Sequence, residues 1–220
     1  MKKEIVGLVP VKGQSERVIE KNTRNFHNTT LLELKLDQLS NTQGFKNIIV
    51  YSEDSSILQI ANKKGFDTHH RDPKYSTSKV PMSDVYSYIA SEITGENIAW
   101  INVTNPLVET EIYDNAIEIY NELDTGYDCL LSAIELRENF FYQGKAINFD
   151  RSPWPRSQDL SPVLSLSFSI NILKRDDMVR WGSCVGTSPY FYCLDKIDSW
   201  DIDNQEDFDF CEMIYQQRNP

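Results

Sequence analysis

Ile5-Val6-Gly7-Leu8-Val9, followed by Pro10-Val11-Lys12-Gly13-Gln14-Ser15-Glu16-Arg17-Val18-Ile19-Glu20-Lys21-Asn22, is the stretch on which the reading of this chain turns. The apolar residues at its start have the length and pattern of a buried first strand. The polar residues then leave that strand at its carboxyl end, where open α/β sheets place their ligands. Residues 12 to 24 hold Lys12, Arg17, Lys21 and Arg24 against Glu16 and Glu20. On a chain with a formal net charge of -11, a local cationic loop is a place for a polyphosphate to sit. The plainer alternative is a solvated charged loop.

Beyond this loop, strand-like and helix-like stretches alternate. Leu31, Leu32, Leu34, Leu36 and Leu39 predict a helix, and Asn47-Ile48-Ile49-Val50-Tyr51-Ser52 predicts a buried parallel strand. Ile57, Ile60, Ala61 and Lys64 fall at helical spacing, with Gly65 placed to end that helix in a left-handed cap. Val85 to Ile93 predicts a helix and Ile98 to Val103 a strand. Ile112, Ala116, Ile119 and Leu123 mark one face of a further helix, and Asp128 to Ile134 another central strand. This alternation predicts an α/β fold, three layers α/β/α around a mostly parallel sheet, with right-handed crossovers.

The rhythm breaks after Leu136. Phe140-Phe141-Tyr142, Gln143-Gly144-Lys145 and Ala146-Ile147-Asn148-Phe149 predict a small β-hairpin, and Ser152-Pro153-Trp154-Pro155 a rigid connection. Residues 137–165 are therefore expected to project as an insertion, covering a site or meeting another subunit, from one domain spanning 1–220. Tyr190 to Leu194 predicts a last strand, and Phe208, Cys211 and Tyr215 one side of a closing helix.

At 40% hydrophobic and 25% charged residues the composition is that of an ordinary globular protein. Its acidity argues against nucleic acid or an anionic membrane as a partner. No stretch is long enough to span a bilayer, and no secretory signal follows Met1-Lys2-Lys3. Cys129, Cys184, Cys193 and Cys211 lack metal-ligand spacing and read as reduced thiols. The expectation is a cytoplasmic protein. His69-His70 reads as structural, and Phe140 to Tyr142 as packing or interface.

Several blocks together resemble the sugar-acid cytidylyltransferases, in particular the acylneuraminate type. Pro10, Ser15 and Lys21-Asn22 match that family's P-A-R-x-x-S-K-x-x-x-x-K-N in register, with Lys12 standing for its arginine. Tyr51-Ser52-Glu53-Asp54 resembles its S-T-D, and His70-Arg71-Asp72-Pro73 its R-P, with Ser83 near its serine-rich stretch. Asn102-Val103-Thr104-Asn105-Pro106-Leu107 resembles Q-P-T-S-P-L, and Asp201-Ile202-Asp203 with Glu206-Asp207-Phe208 resembles D-I-D-x-x-E-D-F. Pro155-Arg156-Ser157-Gln158-Asp159-Leu160 loosely matches P-R-x-Q-x-L. The resemblance runs from residue 5 to about 215 and implies a Rossmann-like nucleotidyltransferase sheet.

It also implies transfer of CMP from CTP to the anomeric hydroxyl of a nonulosonic or related 2-keto sugar acid, with pyrophosphate released and Mg²⁺ as cofactor. Lys12, Ser15, Arg17, Lys21 and Asn22 would then meet the nucleotide, with Arg71 and Ser83 near its base or ribose. Asn102, Thr104 and Arg156 would meet the sugar acid, Arg156 by pairing with its carboxylate. Asp201 and Asp203 would hold the metal, and with Lys21 form the catalytic set. Asp203 followed by Glu206 also reads as a helix cap with its reciprocal carboxylate. A homodimer with interlocked extensions is implied as well.

The departures fall on ligand contacts. Glu16 stands where the family has a lysine, and Val108 where it commonly has an arginine. Ser167-Phe168-Ser169-Ile170 lacks the asparagine and glycine of N-G-A-I, and His27-Asn28 replace glycines, with Asn28 the residue that tolerates positive φ. Two alternatives stay open: a same-fold nucleotidyltransferase for a sugar or polyol phosphate, and a catalytically weakened nucleotide-binding relative.

Overall fold

Ile5 to Val9 are buried in β1 (Ile5–Pro10) because both faces of that strand are covered. Ile5 and Val9 face one apolar cluster, whereas Val6 and Leu8 face another. This computed structural model describes residues 2–220. After β1 come a two-residue ribbon, β2 (Asn25–Phe26) and β3 (Thr29–Thr30), then α1 (Leu31–Ser40), β4 (Asn47–Ser52), α2 (Ser55–Lys63) and β5 (Asp67–His70). The chain continues through α3 (Met82–Glu92), β6 (Asn97–Trp100), α4 (Thr110–Glu122) and β7 (Cys129–Leu136). A hairpin follows, β8 (Phe141–Tyr142) and β9 (Lys145–Ala146), and then β10 (Val163–Lys174), α5 (Arg175–Trp181), β11 (Pro189–Cys193) and α6 (Gln205–Arg218).

The main sheet runs β11-β7-β10-β6-β1-β4-β5. β1 pairs in parallel with β4 on one side and β6 on the other. The chain builds outward from β1 through β4 to β5, then returns to place β6 on the opposite side. That reversal makes a topological switch point at the carboxyl ends of β1 and β6. Helices α1, α2 and α4 cover one face, and α3 and α5 the other. The three layers expected from the alternation are present.

β10 is the exception to the parallel rule, being antiparallel to both β6 and β7. Its sequence alternates Leu164, Leu166 and Phe168 with serines, a period-two signal that the aromatic segment before it obscured. The alternation also breaks internally. The register shifts between Leu166 and Asn171, and Phe168 there takes a φ of 54°, a conformation more readily adopted by glycine. Of the pair before α1, His27 and not Asn28 takes the left-handed conformation, with φ 55°. Glu212 receives its backbone N–H at 2.5 Å, which holds the turn from outside.

Gly65 has the positive φ (85°) expected of it after α2. The hairpin turn is Gln143-Gly144, with φ values of 48° and 79°, the paired positive angles that a two-residue hairpin requires. Its aromatics are exposed, Phe141 at 56% and Tyr142 at 66%, as is Trp154 at 62%. All four cysteines are free. Among the described residues no helix is long and apolar enough to cross a membrane.

A third cluster lies off the sheet, under α6. Val18, Phe26, Leu31, Leu34, Leu107, Ile202, Phe208 and Cys211 build it. It joins the loop after β1, the loop after β6 and the segment before α6, three pieces far apart in sequence.

Candidate active site

The loop after β1 is pinned before it turns. Val11 N–H donates to Tyr51 C=O at 2.9 Å, and Gly13 N–H to Glu53 Oε1 at 2.9 Å. A Cβ on Gly13 would lie 2.6 Å from Asp54 Oδ2. Only glycine lets the loop pass the residue that caps α2. Val18 then plugs into the third cluster, and Asn22 ties the loop's two ends together by donating to Lys12 C=O at 3.0 Å. Lys12, Ser15, Arg17 and Lys21 are left facing one cleft.

Arg71 is not among the cleft residues, contrary to its expected place near the base or ribose. Its guanidinium is buried against Glu53 at 2.6 Å and donates to Val11 C=O at 3.0 Å. Burial pushes the Glu53 carboxyl up, but hydrogen bonds from Arg71 and Gly13 help outweigh it and leave the pKa below the ordinary value. The pair is a strut beneath the cationic loop.

The facing wall comes from the loop after β6 and the segment before α6. Ile202 N–H donates to Thr104 C=O at 2.9 Å, and the Thr104 hydroxyl bonds Asp201 Oδ1. Ile202 is fully buried, so the residues on either side of it turn the other way, into the cleft. The segment belongs to no strand. Nor is Asp203 the helix cap. Asn204 holds that position, accepting from Asp207 N–H at 3.0 Å, while Asp207 accepts from the N–H groups of Asp203 and Asn204. The capping box lies one residue later than the Asp203–Glu206 spacing predicted, and the Asp203 carboxylate is free of it.

These walls enclose about 440 Å³, lined by Lys12, Ser15, Arg17, Lys21 and Asn22 across from Asn102, Thr104, Asp201 and Asp203. Arg17 meets Asp203 at 2.6 Å, and Lys21 donates to Ile202 C=O at 2.6 Å. Burial lowers the Lys21 pKa, and Asp201 and Asp203 oppose that shift. Asp201 is pushed up by burial and by the Asp203 charge, against its Thr104 hydrogen bond and Lys21. The shift is chiefly the cost of taking the Asp201 carboxylate out of water. Indole N–H of Trp100 donates to Asn102 Oδ1 at 3.1 Å. Because an indole can only donate, the Asn102 amide keeps its NH₂ for other partners.

Glu16 also lines the cleft, as do Gln14, Ser76, Ser78 and Met82. Sequence reasoning passed over the two serines by assigning the serine-rich stretch to Ser83. Ser83 itself is exposed, and its hydroxyl turns to Asp84 at 3.4 Å. The run Ser76-Thr77-Ser78 was the available signal. A second recess of about 680 Å³ adjoins the cleft beyond Gln14 and Glu16, lined by Glu53, Asp54, Ser55 and Lys79 among others. Arg156 lies outside the cleft of its own chain, exposed and paired with Asp159 at 2.7 Å. Val108 is fully buried, so its position brings no charge to the site.

Among known proteins, the post-translational flagellin modification protein B of Campylobacter coli is 22% identical to this chain over 231 residues, covering 98% of this chain and 97% of that protein. The CMP-N,N'-diacetyllegionaminic acid synthase of Campylobacter jejuni is 23% identical over 227 residues, again with 98% and 97% covered. In fold, the chain is similar to a CMP:2-keto-3-deoxy-manno-octonic acid synthetase solved with CTP, at a TM-score of 0.71 and 10% identity over 98% of this chain and 99% of that one. The family model described as cytidylyltransferase matches residues 6–218, and with both walls of the cleft inside that span, the chain belongs to the cytidylyltransferase family.

Proposed function

We propose that this chain transfers CMP from CTP to the anomeric hydroxyl of a nonulosonic or related 2-keto sugar acid, releasing pyrophosphate. The observation that carries the reading is the cleft itself. Lys12, Arg17 and Lys21 face Asp201 and Asp203 across one opening at the switch point of the sheet. Attack of a hydroxyl on the α-phosphorus, with pyrophosphate leaving in line, needs alignment and neutralised charge more than covalent help. In this reading Lys12, Arg17 and Lys21 take the phosphate oxygens, Ser15 and Asn22 donate hydrogen bonds beside them, and the Gln14 and Ser15 amides, Gly13 N–H being held by Glu53, add an anion-binding turn. Asn102 and Thr104 receive the sugar acid.

The wall suits one divalent cation. Among the described residues no group of three or more metal-ligating side chains occurs, but Mg²⁺ commonly takes one or two carboxylates and completes its shell with phosphates and water. Asp201 and Asp203 would hold it, and a cation would offset the burial that pushes the Asp201 pKa up. When bound, the ion supplies neutralisation of the phosphate charge. Arg17 would have to leave Asp203, which frees it to turn to the nucleotide.

A sugar or polyol phosphate as acceptor fits less well, since Glu16, Asp201 and Asp203 already bring negative charge to the cleft. Pyrophosphate release from CTP with a panel of sugar acids, with and without Mg²⁺, tests the reading. Turnover by wild type and its loss in Asp201→Ala is expected. CTP binding with no release across the panel would leave only the weakened, non-catalytic relative.

A further inference from the structure

Lys35 sits in the middle of α1 with its side chain fully enclosed. No carboxylate pairs with it among the described residues, and burial alone draws its pKa down to about 7. Its Nζ donates to Asn105 C=O at 2.8 Å and bonds the Tyr113 hydroxyl. An amine buried without a counter-charge is costly, whereas methionine or leucine would fill similar space without that cost. Packing is therefore a poor reason for a lysine here. Its position in a hydrogen-bonded chain is a better one.

Asn105 is itself fully buried. While its carbonyl accepts from Lys35, its side-chain NH₂ reaches Ser199 C=O at 3.1 Å, Trp200 C=O at 3.3 Å and Ser167 C=O at 3.3 Å. The next links are Thr104, which accepts from Ile202 N–H at 2.9 Å and bonds Asp201. One continuous path thus leads from α1, outside the cleft, to the acidic wall inside it. We propose that Lys35 is a positioning residue: by holding the Asn105 carbonyl it fixes the buried knot that sets Asp201 and Asp203 against Asn102 and Thr104. It touches no substrate. It acts through Asn105, and removing either residue loosens the same wall.

The significance of that wall rests on the proposed function, so the test is read without sugar acid. Lys35→Met keeps the volume and removes the donor. Asn105→Ala keeps the carbonyl and removes the contacts to Ser199 and Trp200. Backbone hydrogen exchange at Ile202, and the affinity for Mn²⁺ in the presence of CTP, are measured for each variant and for the double variant. Each single variant is expected to exchange Ile202 about tenfold faster and to bind Mn²⁺ about tenfold more weakly, with CTP affinity in the absence of metal unchanged. The double variant should be no worse than the worse single, because both act on one path. Wild-type exchange and Mn²⁺ affinity in a folded Lys35→Met, or fully additive losses, would overturn the proposal. If Lys35→Met does not fold, Lys35→Leu, which also removes the donor, is measured in its place, wild-type values refuting the proposal and the stated losses supporting it. Failure of wild type to turn over any sugar acid would count against the proposed function and leave this result standing.

Discussion

Lys21 concentrates the electrostatics of the cleft in one side chain. It is drawn down by burial and held up by Asp201 and Asp203, and its amine bonds Ile202 C=O. Lys21→Met should lower CMP transfer by about 100-fold, the usual scale for losing one preorganised charge contact, in an assay of pyrophosphate release. Glu16→Lys works in the other direction, since a carboxylate facing a triphosphate costs on the order of 1 kcal/mol in a partly screened site. Its KM for CTP should fall about fivefold or more, measured at fixed sugar acid. Lys35 makes a prediction in pH. Its folded pKa of about 7 lies below the ordinary 10.5, so the unfolded chain holds the proton more tightly. The stability this site contributes therefore rises as pH climbs from about 7, by up to about 1.4 kcal/mol per unit, and levels near the ordinary lysine pKa. Tyr113, the titratable group facing it, has its phenol pushed up by burial and stays protonated throughout. Denaturant unfolding at pH 7 and pH 9 should show that rise in wild type and its loss in Lys35→Met.

At the scale of elements, the start of α6 separates two roles that a reading of residues 201–206 left entangled. Asn204 caps the helix and Asp203 faces the cleft. Asn204→Ala should cost about 1 kcal/mol of unfolding free energy, while Asp203→Ala should leave stability nearly unchanged and impair metal-dependent turnover. Equal destabilisation by both would contradict this division. The loop after β1 depends in the same way on the strut below it. Removing Glu53 alone leaves the Arg71 charge buried and unpaired, which costs roughly 3–5 kcal/mol. Because Glu53 titrates below its ordinary value, the stability it contributes is present above the ordinary carboxylate range and is lost as pH falls through its folded pKa. Most element boundaries near the site were legible from periodicity. The helix cap was not, because Asp203 and Asn204 are both good caps with an acidic residue three positions on, and only the folded structure places the cap at Asn204.

Across the whole molecule, the unexplained surface is the aromatic segment around β8 and β9, with Phe141, Tyr142, Ile147 and Trp154 all more than half exposed. The homodimer implied by the resemblance would cover it, and Arg156 on the same segment reaches no cleft of its own chain. Sedimentation of wild type as a dimer and of Trp154→Ser with Tyr142→Ser as a monomer is the expected outcome. The alternating apolar runs were enough to specify a layered α/β sheet, and the motifs around Lys12–Asn22, Asn102–Thr104 and Asp201–Asp203 were enough to mark both walls of the cleft. Local sequence carries such information because strand burial, helix periodicity and the charge of a loop depend on neighbours along the chain. What it did not carry was the partner of each buried polar group. Arg71 under the loop rather than in the cleft, Lys35 on Asn105 and the antiparallel β10 all follow from residues distant in sequence meeting in a low-dielectric interior, where hydrogen bonds are strong and the folded packing alone selects their partners.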